Sequence, residues 1–494
     1  FNALQLLATL HLQAQHFKIA VTLFDRAIAL NPNYADAHSN RGNALMGLQR
    51  AADALISYDM AIALNPRFSE AFSNRGDALQ LLNRFDDALT SYDIAIGLKP
   101  NVADTYFNRG DALKKLRRSE EAIVNFDQAI TLNPAHLGAH TNRGNTLLEL
   151  QRYDEAMISF ENALAINPDF AEGYSNLGNA LLKLKRVDES LALFDKAISL
   201  KTNHAGAYAN RGNALVELHR IDEAIASYKT AIALKPDYAE AYSDLGITLV
   251  SLNQLDDAMA CFDQSLALNP DYAPTHANRG IALHELHRYE EALASYDRAI
   301  TLLPGFSGAY SNRGNTLQKL KRFDEALASY DQAISLNPAY AEAYSNRGNA
   351  LHALKRFDEA VASYDKAISL DQNYPEAHSN RGNTLQDSDL LEAVASYDRA
   401  ITIKPDYHEA YSNRGGALQK LKRLDDALES FDRAIQLKPD WIEASWNKSL
   451  LLILTGNYLD GWAMYECRLQ REGAKQEFTA CSGSAWRGGD IRGK

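Results

Sequence analysis

The chain has 494 residues, with 51 Lys and Arg against 63 Asp and Glu, for a net charge of −12. This balance, with no dense basic run, argues against nucleic acid as a partner, because phosphate binding depends on cationic side chains that displace counterions. At 46% hydrophobic and 23% charged residues, the composition is that of a folded, water-soluble protein and too apolar for disorder.

No window approaches the roughly 18 to 20 apolar residues of a membrane span, so no membrane association is expected. Phe1 to Leu12 lack the charged start and small-residue cleavage site of an export signal. Cys261, Cys467 and Cys481 are unevenly spaced with no C-x-x-C pair, which encodes neither a disulfide framework nor a zinc site; a reducing cytoplasm is the expectation.

The first helix (Phe1, Ala3, Leu4, Leu6, Leu7, Leu10, Leu12) is too apolar for a solvated cap. Either further repeats precede it or another molecule covers it, and end-to-end stacking of copies is one such cover. From there glycine keeps a period: Gly42, Gly76, Gly110 and onward to Gly382 are each 34 residues apart, and Gly415 follows after 33. Proline keeps the same period from Pro32 to Pro439, with Thr202 and Gln372 in its place twice. Each unit reads as two helices. In residues 341–370, small residues (Gly348, Ala360, Ala367) face large ones (Tyr344, Leu351, Leu354, Tyr364), a code for close packing of neighbouring helices. The proline ends the second helix by pushing the residue before it out of the α region. In Pro168-Asp-Phe-Ala-Glu172, Asp169 is placed to cap the next helix, with Glu172 returning to it.

An early aromatic, the glycine, A-x3-[FY]-x2-A and a proline at this period resemble the tetratricopeptide repeat. The resemblance implies an all-α fold, a right-handed α-superhelical solenoid of tandem helix-turn-helix repeats. Thirteen regular units cover residues 1–441, a degenerate unit covers 442–475, and 476–494 reads as a linker. Ser190 and Ser265 replace alanines, and Gln386-Asp-Ser-Asp-Leu-Leu391 is one residue short, which is expected to disturb one turn between helices.

The family pattern has leucine before the glycine, but this chain carries Arg41, Arg75, Arg109, Arg143, Arg211, Arg279, Arg313, Arg347, Arg381 and Arg414 there. Sixteen residues upstream of each stands an aspartate: Asp25, Asp59, Asp93, Asp127, Asp195, Asp263, Asp297, Asp331, Asp365 and Asp398. Lys448 has Asp432 at the same offset, whereas Leu177 and Leu245 have Glu161 and Lys229. Two readings fit: an ion-pair ladder between repeats that sets register, or joint inheritance of the pair by duplicated units. Both are structural.

In solenoids of this family the first helices line the inner surface, which places the slots two before and one after the glycine in a groove. The upstream slot holds Asn40, Asn74, Asn108, Asn142, Asn176, Asn210, Asn278, Asn312, Asn346, Asn380, Asn413 and Asn447, with Asp244 as the interruption. The downstream slot holds Asn43, Asn145, Asn179, Asn213, Asn315, Asn349 and Asn383, plus Asp77 and Asp111. An amide offers both donor and acceptor, so such a row suits the main chain of an extended peptide or protein segment without reading its side chains. The alternative is that these asparagines only tie neighbouring helices together. The basic carboxylate clamp of chaperone-tail-binding relatives is missing: serine (Ser39, Ser73, Ser311, Ser345) stands before the first asparagine, and acids (Asp36, Glu70, Glu172, Glu342) open the first helices.

No enzyme, cofactor or metal is expected from these residues. His284-Glu-Leu-His287 is one residue short of H-E-x-x-H and lacks a third ligand. Acidic pairs such as Asp154-Glu155 and Asp324-Glu325 recur unit after unit as solvated first-turn residues. There is no phosphate loop and no nucleophile elbow.

Trp441, Trp446, Trp462 and Trp486 all fall near the C-terminal end, where Gly461 and Arg468 replace the packing alanines. Trp446-Asn-Lys-Ser-Leu-Leu, Gly461-Trp-Ala-Met-Tyr-Glu466 and Trp486-Arg-Gly-Gly-Asp-Ile-Arg-Gly-Lys494 are similar to the junction in bacterial TPR-glycosyltransferase proteins, which share the layout of the O-linked N-acetylglucosamine transferases. That resemblance implies a substrate-recruiting region next to a glycosyltransferase domain. It carries over no catalytic residue. The rival expectation is a structural module that self-assembles end to end through its apolar end faces into an oligomer or filament.

Overall fold

The computed structural model describes residues 1–467; residues 476–494, expected from sequence to be a linker, and Arg468 lie outside the described residues, as do Cys481 and Trp486. These residues form 28 helices and no strand, so the fold is all-α. They divide into two compact units, the first residues 1–248 and the second from Leu249 onward.

The first unit contains α1 (Asn2–Gln13), α2 (Phe17–Leu30), α3 (Ala35–Gly47), α4 (Ala51–Leu64), α5 (Ser69–Leu81), α6 (Phe85–Leu98), α7 (Ala103–Lys115), α8 (Ser119–Leu132), α9 (Leu137–Glu149), α10 (Tyr153–Ile166), α11 (Ala171–Lys183), α12 (Val187–Leu200), α13 (Ala205–Glu217) and α14 (Ile221–Leu234). The division falls within α15 (Ala239–Ser251). The second unit continues with α16 (Leu255–Leu268), α17 (Ala273–Glu285), α18 (Tyr289–Leu302), α19 (Ser307–Lys319), α20 (Phe323–Leu336), α21 (Ala341–Ala353), α22 (Phe357–Leu370), α23 (Pro375–Leu385), α24 (Leu390–Ile403), α25 (His408–Lys420), α26 (Leu424–Leu437), α27 (Ile442–Leu454) and α28 (Tyr458–Tyr465). In each unit a helix packs on its chain neighbours, and successive odd-numbered helices also touch, as α9 does α11 and α19 does α21.

The glycine period has a steric cause. A Cβ on Gly348 would stand 2.6 Å from Tyr364 Cε1, and one on Gly42 would stand 2.5 Å from the same atom of Tyr58. Tyr58, Tyr92, Phe126, Phe160 and Phe194 in the first unit, and Tyr296, Tyr330 and Tyr364 in the second, are fully buried against these glycines and the neighbouring alanines. Hydrophobic burial in each unit is thus a chain of like clusters linked to their neighbours, such as Leu317, Tyr330, Leu351 and Tyr364.

The turn inside each pair relies on a left-handed residue. Twelve non-glycine residues, from Gln15 to Lys422, have φ between 57° and 61°. At Gln49 the following amide, Arg50 N–H, donates to Leu45 O at 2.9 Å, closing a helix C-terminus of the Schellman kind. The one-residue deletion removes this device: α23 has 11 residues instead of 13, no positive-φ residue follows it, and Asp389 caps α24 by accepting from Leu391 N and Glu392 N, each at 3.1 Å. One turn is disturbed, as the shortened segment implied.

The capping expectation is corrected. Asp169 does not cap α11: the N-cap residue is Phe170 and no side chain bonds there. Asn167 Oδ1 accepts from Asp169 N–H at 3.1 Å instead, so the Asn-Pro turn satisfies itself and leaves an aromatic residue at the helix entrance. Glu172 pairs with Lys201 at 2.6 Å, which holds its carboxyl below the usual range. Two histidines do cap: His136 Nδ1 accepts from Ala139 N–H and His204 Nδ1 from Ala207 N–H, both at 3.1 Å.

Candidate functional site

Two polar systems run from repeat to repeat. In the first, the arginine before the packing glycine lies between a partner from the preceding pair and one from its own. Arg41 Nε donates to Asp25 Oδ1 at 2.6 Å and its NH1 donates to Ser57 Oγ at 2.7 Å. Arg75 bonds Asp59 and Ser91, Arg143 bonds Asp127 and Ser159, and Arg211 bonds Asp195 and Ser227 in the same manner. In the second unit Arg313 bonds Asp297 and Ser329, Arg347 bonds Asp331 and Ser363, Arg381 bonds Asp365 and Ser396, and Arg414 bonds Asp398 and Ser430. Arg109 uses Asn125 in place of serine, and Arg279 stands farther from Asp263, at 3.4 Å. Lys448 pairs with Asp432.

The serine half of this clamp went unread in the sequence, although its signal was there. Where arginine becomes Leu177 or Leu245, the residue sixteen positions downstream becomes Leu193 or Cys261, and Leu7 is likewise followed by Leu23. Leu177 and Leu193 join one apolar cluster. A half-buried guanidinium needs a polar acceptor on its inner side, and a leucine there needs an apolar neighbour.

The pairs are partly exposed, so each contributes only about 0–1 kcal/mol. Asp331→Lys is expected to lower stability by that amount, and adding Arg347→Asp should recover part of it. A double-mutant cycle from denaturant unfolding measures this; strictly additive losses would mean the two side chains do not interact.

The second system contains the asparagine rows on the odd-numbered helices. Tyr58 OH donates to Asn43 Oδ1 at 2.8 Å, and Asn74 Nδ2 of the next repeat donates to the same oxygen at 2.9 Å. The relay recurs as Tyr92–Asp77–Asn108, Tyr364–Asn349–Asn380 and Tyr397–Asn383–Asn413, while Asn142 donates to Asp111. Burial pushes the tyrosine hydroxyls upward, so they remain protonated donors. At these repeats the slot after the glycine is committed to holding the stack together, as is one amide hydrogen of Asn74, Asn108, Asn142, Asn380 and Asn413.

Others in the upstream row are uncommitted. The side-chain amides of Asn40, Asn176, Asn312, Asn346 and Asn447 are half-buried and make no hydrogen bond in the structure. Asn210 stands 3.5 Å from Ser175 Oγ, and Asn278 has a polar partner. Asp244, the interruption, accepts from Asn213 and is pushed up to about 6 by burial. Beside the row in the second unit, Asn349, His352, Tyr364, Asn380 and Asn383 line a cavity of about 170 Å³. A cleft of about 670 Å³ adjoins it at the shortened turn, lined by His352, Phe357, Thr384, Gln386 and Lys420 among others.

The remaining candidates have structural surroundings. His284 Nδ1 lies 2.8 Å from Thr316 Oγ1, and His287 Nδ1 lies 2.8 Å from Tyr289 OH. No group of metal-ligating side chains occurs among the described residues, and none of their helices is long and apolar enough to cross a membrane.

Helix pairs at a fixed period, each closed by a glycine on a buried ring and bonded to the next through side-chain relays, define a helical-repeat scaffold. The chain belongs to the tetratricopeptide repeat family. Models described as TPR repeat match residues 144–185, 212–250, 319–355, 348–389 and 387–422. Models described as tetratricopeptide repeat match 6–67, 42–103, 103–136, 171–204, 239–272, 273–306 and 408–440. The crystal structure of the APC/C hetero-tetramer Cut9-Hcn1 contains a chain similar in fold, with a TM-score of 0.60 at 15% identity over 96% of this chain and 95% of that one. No curated protein matches. The architecture is that of a repeat scaffold for protein–protein interaction.

Proposed function

We propose that the chain captures extended peptide segments of other proteins along the asparagine row of its first helices. The uncommitted amides of Asn312 and Asn346 carry this reading: they sit on neighbouring repeats of one unit, half-buried and with free donor and acceptor capacity. Such groups gain little in water but pair well with a peptide main chain, which presents alternating N–H and C=O. The row gives affinity without side-chain selection, and the clefts at the shortened turn offer one place where a large side chain could fix register.

The test separates binding from folding. Asn312→Ala with Asn346→Ala is expected to weaken binding of arrayed unstructured peptides at least tenfold while leaving the melting temperature in place. Asn380→Ala, which breaks the bond to Asn349, should act mainly on stability. Equal peptide binding by the double variant would refute the reading.

The finer proposal is that this scaffold recruits substrates for a bacterial protein glycosyltransferase in the cytoplasm. Its support is the junction-like run at Trp446 and at Gly461 to Glu466; the rest of that motif lies outside the described residues. A second reading, end-to-end assembly, is favoured by exposed Leu6 and Leu10 on α1 and by exposed Leu454, Leu459 and Trp462 on α27 and α28. Light scattering of the chain with Leu6→Ser and Leu10→Ser tests it: particles that shrink to the mass of a single chain support assembly, and an unchanged mass rules it out.

A further inference from the structure

The even-numbered helices of the first unit carry a feature unrelated to the asparagine rows. Ile56, Met60, Ile94, Val124 and Ile158 are 42% to 66% exposed, on four consecutive second helices, α4, α6, α8 and α10. They occupy two equivalent positions of the repeat, the sixth and tenth residues of the helix, which lie one turn apart on one face. The stripe is bounded. The same positions are Thr22 and Arg26 in α2 and Ala192 and Lys196 in α12; in the second unit they are alanine paired with arginine, glutamine or lysine at 294 and 298, 328 and 332, and 362 and 366. The repeat fold therefore does not require apolar residues at these sites, and four neighbouring units share them.

Its borders carry more acids than bases, since Arg118, Arg152 and Arg186 along them are paired with Glu121, Glu155 and Glu189. Asp86, Glu120 and Asp154 stand one turn before Thr90, Val124 and Ile158, and Glu161 stands three residues after Ile158. Glu120 pairs with Arg152 at 3.1 Å. Asp86, Asp154 and Glu161 are exposed and hold no ion pair among the described residues; Glu161 is left over because the following repeat has Leu177 where others have the arginine. Exposed apolar side chains that recur along one face, with a charged rim, are the mark of a contact site.

We propose that this face is a docking surface for a basic amphipathic helix of a partner protein. Charge selects the occupant. A second copy of the same face would set carboxylate against carboxylate, and an anionic lipid surface would be repelled as well. Length selects its form: the second helices of successive repeats do not pack directly on one another, so three spacings exceed the about 24–30 Å that packed helices would give, which takes a helix of about 18 residues or more at 1.5 Å each. Such a helix would lay leucine-like side chains at three- and four-residue spacing on Ile56, Ile94, Val124 and Ile158, with lysines or arginines along its edges.

The test uses the full chain and a labelled 18-residue peptide of leucine and lysine with the leucines on one helical face. Its controls are the same apolar pattern with glutamate for lysine, and a scrambled peptide of the original composition. Fluorescence anisotropy should show binding of the patterned basic peptide alone, at least tenfold weaker for Ile56→Ser/Val124→Ser/Ile158→Ser and weaker again at high salt. These positions are exposed, so unchanged helicity and melting temperature confirm an intact fold. Equal binding by the triple variant, or equal binding of the scrambled peptide, overturns the proposal. So does a wild-type dimer that the triple variant dissociates, since a second copy would then be the occupant.

Discussion

Truncating Tyr364 to alanine is expected to cost about 3–5 kcal/mol, because it empties the position of a large, fully buried ring that the surrounding helices cannot refill. Tyr364 is 1% exposed, packs among Tyr330, Ala350, Leu351 and Ala360, and fills the gap left by Gly348. Approaching the same contact from the other side, Gly348→Ala should cost about 1–3 kcal/mol by overpacking, since its Cβ would stand 2.6 Å from the ring. Tyr364→Phe keeps the ring and removes the hydroxyl with its bond to Asn349, which should cost about 1 kcal/mol; Phe126 and Phe160 occupy the equivalent place elsewhere. In a stack held by nearest-neighbour contacts the damage stays local. Hydrogen exchange should therefore show α20 to α23 losing protection while residues 1–248 keep theirs. Uniform loss along the chain would contradict this nearest-neighbour account.

The second large effect is a gain. Asp244 breaks the asparagine row, and burial pushes its carboxyl from 3.8 up to about 6, with the Asn213 amide partly opposing the rise. The sign follows from linkage. The folded chain holds this proton more tightly than the unfolded chain, so the penalty for ionisation is present in full above about 6, declines as pH falls and is gone below 3.8. Asp244→Asn is expected to stabilise the first unit by on the order of 1–3 kcal/mol at pH 7.5 and by almost nothing at pH 3.5. Paired melts of the two proteins across that range read the difference directly. A gain that is constant with pH would mean the carboxylate carries no such penalty.

How much of this was legible in sequence depended on whether a residue's partner lay at a constant offset. The glycine and the ring sixteen residues later, fifteen at the shortened repeat, repeat so regularly that their contact follows from periodicity, and so does the aspartate sixteen residues before each arginine. The serine sixteen residues after it obeys the same rule and was overlooked because serine on a helix is usually unremarkable. Helix entrances were misread for a physical reason: Asp169 has the chemistry of a cap, but Asn167 satisfies the turn first and leaves Phe170 at the cap position. The left-handed turn residues carry no composition signal, since glutamine, lysine, histidine and asparagine all serve where glycine would be the usual choice. Which asparagines are free was beyond sequence reading, because Asn346 and Asn380 occupy the same slot and only the second is bonded to its neighbour.

The central claim is that the asparagine row holds the main chain of a bound peptide and not its side chains. Calorimetric titration of one bound peptide, its side-chain-shuffled version and its backbone N-methylated version tests this most directly. The proposed mode predicts similar affinity for the first two and at least a tenfold loss for the third, whose amides can no longer donate. Tight binding of the N-methylated peptide, or its loss on shuffling alone, would contradict main-chain capture.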